Sequence, residues 1–193
     1  MNKRSGTESR KKILNAALKV FSEYSYKGAS VRMIARSAGV SVGAVYLYFR
    51  SKEALYTTLV KSMLDDLSEK SKELVKDIKD PAVTMRAFIS MRIEYAKKHR
   101  GLILVQGREQ GFTFGMKMKR AFFAHQRKVV EEIVRSGIAA GKFRKCDAGE
   151  VSKVTICMLR GFLLSIVVEP DALFSAEEGG DLILKGLLAK KEP

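Results

Sequence analysis

Cysteine, histidine and proline are all scarce, and each scarcity closes off a class of protein. Two cysteines in 193 residues, Cys146 and Cys157, are too few for a disulfide framework and lack metal-ligand spacing. Both read as reduced thiols, and no structural metal is implied. Two histidines, His99 and His125, leave little imidazole for acid–base catalysis. His99 reads as a cation at a helix C-terminus and His125 as a helix-surface or pocket residue. Neither H-E-x-x-H nor C-x-x-C occurs. The run from Gly137 to Lys142 is one residue short of a phosphate loop, and Phe143 stands where a magnesium-binding hydroxyl is required. No catalytic residue and no cofactor is therefore assigned. With only 3 prolines and 15 glycines, the composition is neither collagen-like nor low-complexity. The longest apolar run, Phe162 to Val168, is far short of the roughly 20 residues that span a membrane. No signal-peptide apolar region opens the chain, so a cytoplasmic protein with no membrane partner is expected.

Positive charge, by contrast, is plentiful. The chain carries 36 Lys+Arg against 21 Asp+Glu, a formal charge of +15. Residues 1–52 hold 11 basic and 2 acidic side chains, or +9, and the remainder holds +6. A cationic surface attracts nucleic acid, anionic membrane and acidic proteins alike, so charge alone selects no partner.

Helical periodicity runs through the chain and no convincing period-2 strand appears, which predicts an all-α fold of about nine helices. Ser5 and Glu8 stand at capping-box spacing ahead of the stripe Ile13, Leu14, Ala17, Leu18, Phe21. Ser30 caps a short second helix with Val31, Ile34, Ala35 and Ala38 inward, and Gly39 supplies the turn. Ser41 caps a third helix in which Val45 and Phe49 face inward. A fourth begins after Ser51 and continues through Leu55, Leu59, Met63 and Leu67. Asp80-Pro81 opens a fifth, which closes on Lys97, Lys98, His99, Arg100 and Gly101. A shorter helix spans about Leu102 to Gln110, and a long one runs from about Met116 to Ala140, where Gly141 ends it. Asp147 with Glu150 and Ser175 with Glu178 open the last two. The expected division is a helix-turn-helix unit over 1–52 and a larger domain over 53–193, meeting within or just before the fourth helix.

Ser30 to Phe49 is thus a helix, a tight turn at Ala38-Gly39-Val40 and a second helix, the arrangement that presents its second helix to a DNA major groove. Ala35 is small where two helices must cross, and Val40 can plug the gap between them. Arg32, Arg36, Ser41, Tyr46, Tyr48 and Lys52 are donors to phosphates or bases, with few acids nearby. The run S30-V-R-M-I-A-R-S-A-G-V-S41, continued by V42-G-A-V-Y-L-Y-F-R-S-K52-E-A-L55, resembles the DNA-binding signature of the tetracycline-repressor (TetR) family, and the first helix, with Ile13-Leu14-Asn15-Ala16-Ala17 and Phe21, matches it too. That resemblance implies a homodimeric transcription regulator with an N-terminal DNA-binding unit and a larger domain that binds a small effector and dimerises. It also implies DNA contacts from Ser30, Arg32, Ser41, Val42, Gly43, Ala44, Tyr46, Tyr48 and Lys52. The chemistry of the residues agrees. Lys52 and the amides behind Ser51 suit a phosphate at a helix N-terminus, and Tyr48 offers a hydroxyl to the backbone. Val42, Gly43 and Ala44 carry no donor, so they would read DNA by close approach and thymine-methyl contact, leaving hydrogen-bonded discrimination to Arg32 and Tyr46. Lys3-Arg4 could reach a minor groove, although a frayed, solvated terminus is the simpler reading.

Beyond residue 55 the signals are broader. Phe88, Met91 and Tyr95 repeat at helical spacing and, with Phe112, Phe114, Met116, Met118, Phe122 and Phe123, offer a large adaptable apolar surface, which is core first and pocket second. Arg92, Gln106, Gln126 and Arg160 are polar residues in or beside apolar runs and need partners, which a ligand can supply. The candidate effector set is therefore Phe88, Met91, Arg92, Tyr95, Gln106, Phe122, Gln126 and Arg160, with Arg160 the most suggestive. Val154 to Val168 is apolar on more than one side, so the last two helices are the expected dimer seam. The alternative to a ligand-responsive repressor on a pseudo-palindromic double-stranded operator is a charge-driven helical protein that binds nucleic acid or a membrane surface without sequence preference.

Overall fold

A computed structural model describes residues 3–108 and 115–188. Among them are nine α-helices: α1 (Lys3–Gly28), α2 (Val31–Ala38), α3 (Val42–Tyr48), α4 (Lys52–Val75), α5 (Pro81–Lys98), α6 (Arg100–Arg108), α7 (Met116–Ala139), α8 (Ala148–Val168) and α9 (Ala176–Leu187). The all-helical expectation holds. Two compact units divide them: Met1–Met63 with Gly101–Met116, and Leu64–Arg100 with Lys117–Pro193, taken over their described residues. The chain passes from the first to the second within α4.

Local signals fix most helix starts. Asp80 accepts from the amides of Ala82 and Val83, with Pro81 in the first turn; Asp147 accepts from Gly149 and Glu150; Ser175 and Glu178 form a reciprocal capping box. Gly141, at φ +66, terminates α7 in the left-handed region where a side chain would be strained. Two expectations fail. Helix α1 begins at Lys3, so Ser5 lies inside it and not ahead of it, and Gly101 lies inside α6. What Gly101 provides is a close approach, because a Cβ there would stand 2.5 Å from the Ser22 side chain of α1.

In the first unit Ile13, Ala17, Phe21, Ile34, Ala35, Val45, Phe49, Leu55 and Tyr56 are buried. Phe21, Tyr26 and Tyr56 form an aromatic trio with centroids 5.0–5.7 Å apart. Burying one such ring contributes about 1.5–3 kcal/mol. The second unit packs Met85, Phe88, Ile89 and Ile93 of α5 with Val130, Ile133 and Val134 of α7, Ile156, Leu159, Phe162 and Ile166 of α8, and Leu184 and Leu187 of α9 among its buried residues.

Helix α8 corrects one reading. At 21 residues, with a mean hydropathy of 1.8 over its most apolar window, it is long and apolar enough to cross a membrane by length and composition. Counting only the run from Phe162 to Val168 missed this, because isolated Glu150, Lys153 and Arg160 break the apolar sequence without lowering its average far. The core helix of a soluble protein meets the same test. Here the face carrying Ser152, Thr155, Ile156, Leu159, Phe162 and Ile166 is buried within the second unit.

Candidate nucleic-acid interface

The geometry of α2 and α3 is set almost entirely by short-range bonds. Ser30, in extended backbone, accepts from the Met33 amide at 3.2 Å and so starts α2. Gly39 at φ +67 ends it, its amide bonding Arg36 O at 3.2 Å while the Val40 amide bonds Ala35 O at 3.0 Å. Two residues later Ser41 accepts from Ala44 N at 3.1 Å and starts α3. The turn is therefore two residues wide and closed at both sides. Ile34 and Ala35 anchor α2, and Val45 with Phe49 anchors α3.

Once Val45 is buried, helical spacing turns Gly43, Tyr46 and Leu47 outward, at i, i+3 and i+4, and Arg50, exposed, follows the extended Phe49 that ends the helix. Tyr46 is 51% exposed and Leu47 77%. Sequence reasoning did not place Leu47 on this outward face, although spacing from Gly43 is the signal that finds it. Ser30, Arg32, Ser41, Val42 and Gly43 are exposed as well, and Ala44 is half-buried. Among the described residues Arg32, Arg36 and Arg50 form no ion pair, so their charge faces solvent uncompensated. The Tyr48 hydroxyl points toward α1 and would lie 3.7 Å from a Cβ on Gly6. The side chains of Lys3 and Arg4 lie outside the described residues.

Lys52 departs from the picture of a free phosphate donor. Its ammonium donates to the carbonyls of Tyr26 at 2.8 Å and Ala29 at 2.9 Å and lies 4.5 Å from the Tyr26 ring centroid. These acceptors sit at and just past the C-terminus of α1, where helix carbonyls lack partners and the dipole favours a cation. Lys52 ties the end of α1 to the start of α4 and keeps one N–H in reserve. Ser51 caps α4 by accepting from Ala54 N at 3.0 Å.

The effector candidates scatter. Phe88 is a fully buried core ring, and Met91 and Tyr95 are half-buried. Tyr95 is hydrogen-bonded to Asp66, and burial with that neighbouring carboxylate pushes its pKa up. Arg92 is 5% exposed, with Nε and Nη1 buried and unpartnered and its guanidinium 5.0 Å from the Phe122 centroid. Burial pulls its pKa down to about 10, so it keeps its charge at neutral pH. Gln126 is fully buried, in contact with Ser71 Oγ at 2.9 Å through one end of its amide and unpartnered at the other. Arg160 is a correction. It lies on the exposed side of α8, opposite Ile156, Leu159 and Phe162, with its guanidinium 5.0 Å from the Phe123 ring. The apolar run around it hid a two-faced helix. The Gln106 side chain, Phe112 and Phe114 lie outside the described residues. Sequence reasoning missed Ser71; His125, read as a helix-surface or pocket residue, is half-buried, with Nε2 buried and without a partner among the described residues.

A capped helical hairpin on a basic unit, holding a side-chain-bearing helix outward, defines a helix-turn-helix DNA-binding transcriptional regulator. The profile of bacterial regulatory proteins of the tetR family matches residues 13–59, so that segment is a DNA-binding segment of that family's type. The chain is 26% identical over 142 residues to the HTH-type transcriptional repressor KstR2 of Rhodococcus jostii, covering 70% of this chain and 68% of that one. Among solved structures it is similar to the TetR-family regulator PfmR of Thermus thermophilus, at 26% identity and a TM-score of 0.70, over 92% of this chain and 99% of that one. It shares its fold with SmeT, a multidrug-efflux repressor of Stenotrophomonas maltophilia, as seen in a triclosan complex at 20% identity and a TM-score of 0.75, over 96% and 98% of the chains.

Proposed function

We propose that the chain is a homodimeric repressor, acting in the cytoplasm, that binds a pseudo-palindromic operator through α3 and is released by a small, largely apolar effector. Residues 1–52 act as the DNA-binding domain and 53–193 as the effector and dimerisation domain. The single observation that carries the DNA part is the closed α2–α3 turn with Tyr46 and Leu47 outward. In this reading Ser30, Ser41, Tyr48 and the one free N–H of Lys52 fix register on phosphates. Val42, Gly43 and Ala44 allow close approach to thymine methyls, and Arg32 and Tyr46 discriminate bases, Arg32 being suited to guanine. Repression is supported by the name of KstR2, and a small ligand by the triclosan complex of SmeT.

The dimer reading rests on α8 and α9. Val154, Cys157, Gly161, Leu164 and Val168 are all exposed and fall at spacings of 3 and 4 along one face of α8, and Leu182 on α9 is 71% exposed. A stripe of this kind is the seam of helix-on-helix packing. A two-fold dimer then requires half-sites whose centres are about one helical turn or somewhat more apart. Release follows if the effector prefers the state in which the two copies of α3 do not match that spacing, with α4 as the lever because it runs through both units.

Binding-site selection with the full chain tests this. A palindrome bound about a thousandfold or more above random DNA is expected, with Arg32→Ala relaxing one position in each half-site. Steep salt dependence with no preference among sequences would instead support charge-driven nonspecific binding.

A further inference from the structure

We infer that the layer formed by α4, α5 and α7 in the second unit binds a carboxylate carried on an apolar body, with its charged head met by Arg92. The inference rests on the effector reading above and gives that effector a chemical class. Arg92 is 5% exposed and sits among hydrocarbon, with Phe88 and Ile89 on its own buried face of α5 and Phe122, Val129 and Val130 on that of α7. One contact is satisfied, the Phe122 ring beneath the guanidinium plane. The edges are not, since Nε and Nη1 are buried without an acceptor.

Acids on the surrounding helices give Arg92 no relief. Asp66 is paired with Lys70, Glu69 with Lys72 and Glu73 with Lys76 on α4; Glu94 is paired with Lys97 on α5 and Glu131 with Arg135 on α7, and Asp65 of α4 and Glu132 of α7 are exposed. No ion pair among the described residues includes Arg92. A buried cation with unmet donors is among the costliest arrangements a core can hold, and it persists where another group completes it. The missing group accepts hydrogen bonds in the guanidinium plane and brings one negative charge. A monoanionic carboxylate neutralises one buried cation, whereas a dianionic phosphate would leave a charge uncompensated in hydrocarbon.

Gln126 adds a second open position one helical turn from Phe122. The Ser71 hydroxyl has one proton, to give either to Leu67 O at 2.8 Å or to the Gln126 amide at 2.9 Å. Whichever it takes, one end of a fully buried amide stays unpartnered. The ligand therefore has an ionic anchor and a polar group beside it, with an apolar body among the flanking side chains.

Titration calorimetry on the full chain tests this, with benzoate, octanoate and decanoate each set against its matching alcohol. At least one carboxylate is expected to bind tenfold or more tightly than its alcohol, and Arg92→Met should abolish that difference while melting no lower than wild type. Arg92→Gln serves the same purpose if the methionine variant fails to fold. If every carboxylate binds no better than its alcohol, or the variants keep the preference, the inference is overturned. Operator binding separates the two readings. A carboxylate that binds through Arg92 without changing DNA affinity upholds the site and removes the effector reading. A ligand that releases wild-type and Arg92→Met protein alike upholds the effector reading and removes this site.

Discussion

Lys52 and Arg92 are the same kind of object in two different units. Each is a cation withdrawn from solvent and set against an aromatic face, Lys52 at 4.5 Å from the Tyr26 centroid and Arg92 at 5.0 Å from that of Phe122. They differ in what surrounds the rest of the charge. Lys52 has two carbonyls at 2.8 and 2.9 Å, both left over from the end of α1. Arg92 has none. A cation that closes unsatisfied backbone groups stabilises the fold, whereas one that adds unsatisfied donors of its own weakens it. The unit that reads DNA must hold α3 rigid and completes its polar contacts internally at this point. The other unit leaves a contact open, as a domain that responds to a ligand must, because a ligand shifts an equilibrium only through interactions the protein does not already make for itself.

The largest effect expected from this contrast is at Lys52. Lys52→Met keeps the aliphatic stem over Tyr26 but strands two carbonyls, so urea denaturation should show a loss of about 2–3 kcal/mol. Arg92→Met should do the opposite. Removing an uncompensated buried charge and filling its place with hydrocarbon is expected to stabilise the ligand-free protein by about 1–2 kcal/mol in the same assay. If both variants destabilise by similar amounts, Arg92 has an internal role like that of Lys52 and the contrast collapses. Third in size is Ser41→Ala, which removes the α3 cap at a cost of about 1 kcal/mol. Because the cap also sets the start of α3, its loss should lower operator affinity more than it lowers the melting temperature.

Much of this frame was legible from residues close together in sequence. Ser30, Gly39, Ser41, Asp80, Asp147 and Ser175 act within three or four positions of themselves, so their roles follow from local chemistry. Charge was legible for the same reason, since +9 on 52 residues needs no fold to be counted. Relations across the chain were not. Gly101 looked like a turn glycine, but its use is to let Ser22 of α1 come close, 79 positions away. Lys52 reads as a phosphate ligand until the carbonyls of Tyr26 and Ala29 are seen beside it. Arg160 looked buried because its neighbours are apolar, and Arg92 looked no different from it. Which of two arginines in apolar helices faces inward is decided by the packing of α5 and α8 against their neighbours, and no pattern within either helix contains that information. Leu47 is the reverse case. Its exposure follows from Val45 being buried two positions earlier, yet a large apolar residue is by default assigned inward.

The smallest stability effect is expected on the outward face of α3, and there it is most informative. Tyr46 is half-exposed and caps no helix end, so Tyr46→Phe should leave stability within about 0.5 kcal/mol of wild type. Its hydroxyl is nonetheless the donor and acceptor that can reach a base edge from that face. Loss of the hydroxyl should therefore relax base preference at one position of each half-site, by about tenfold, with the salt dependence of binding unchanged because no phosphate contact is lost. Competition binding against single-base variants of the selected operator, at two salt concentrations, makes the measurement. A uniform loss across all operator variants with a shallower salt slope would reassign Tyr46 to the phosphate backbone and leave Arg32 to carry the hydrogen-bonded base discrimination alone.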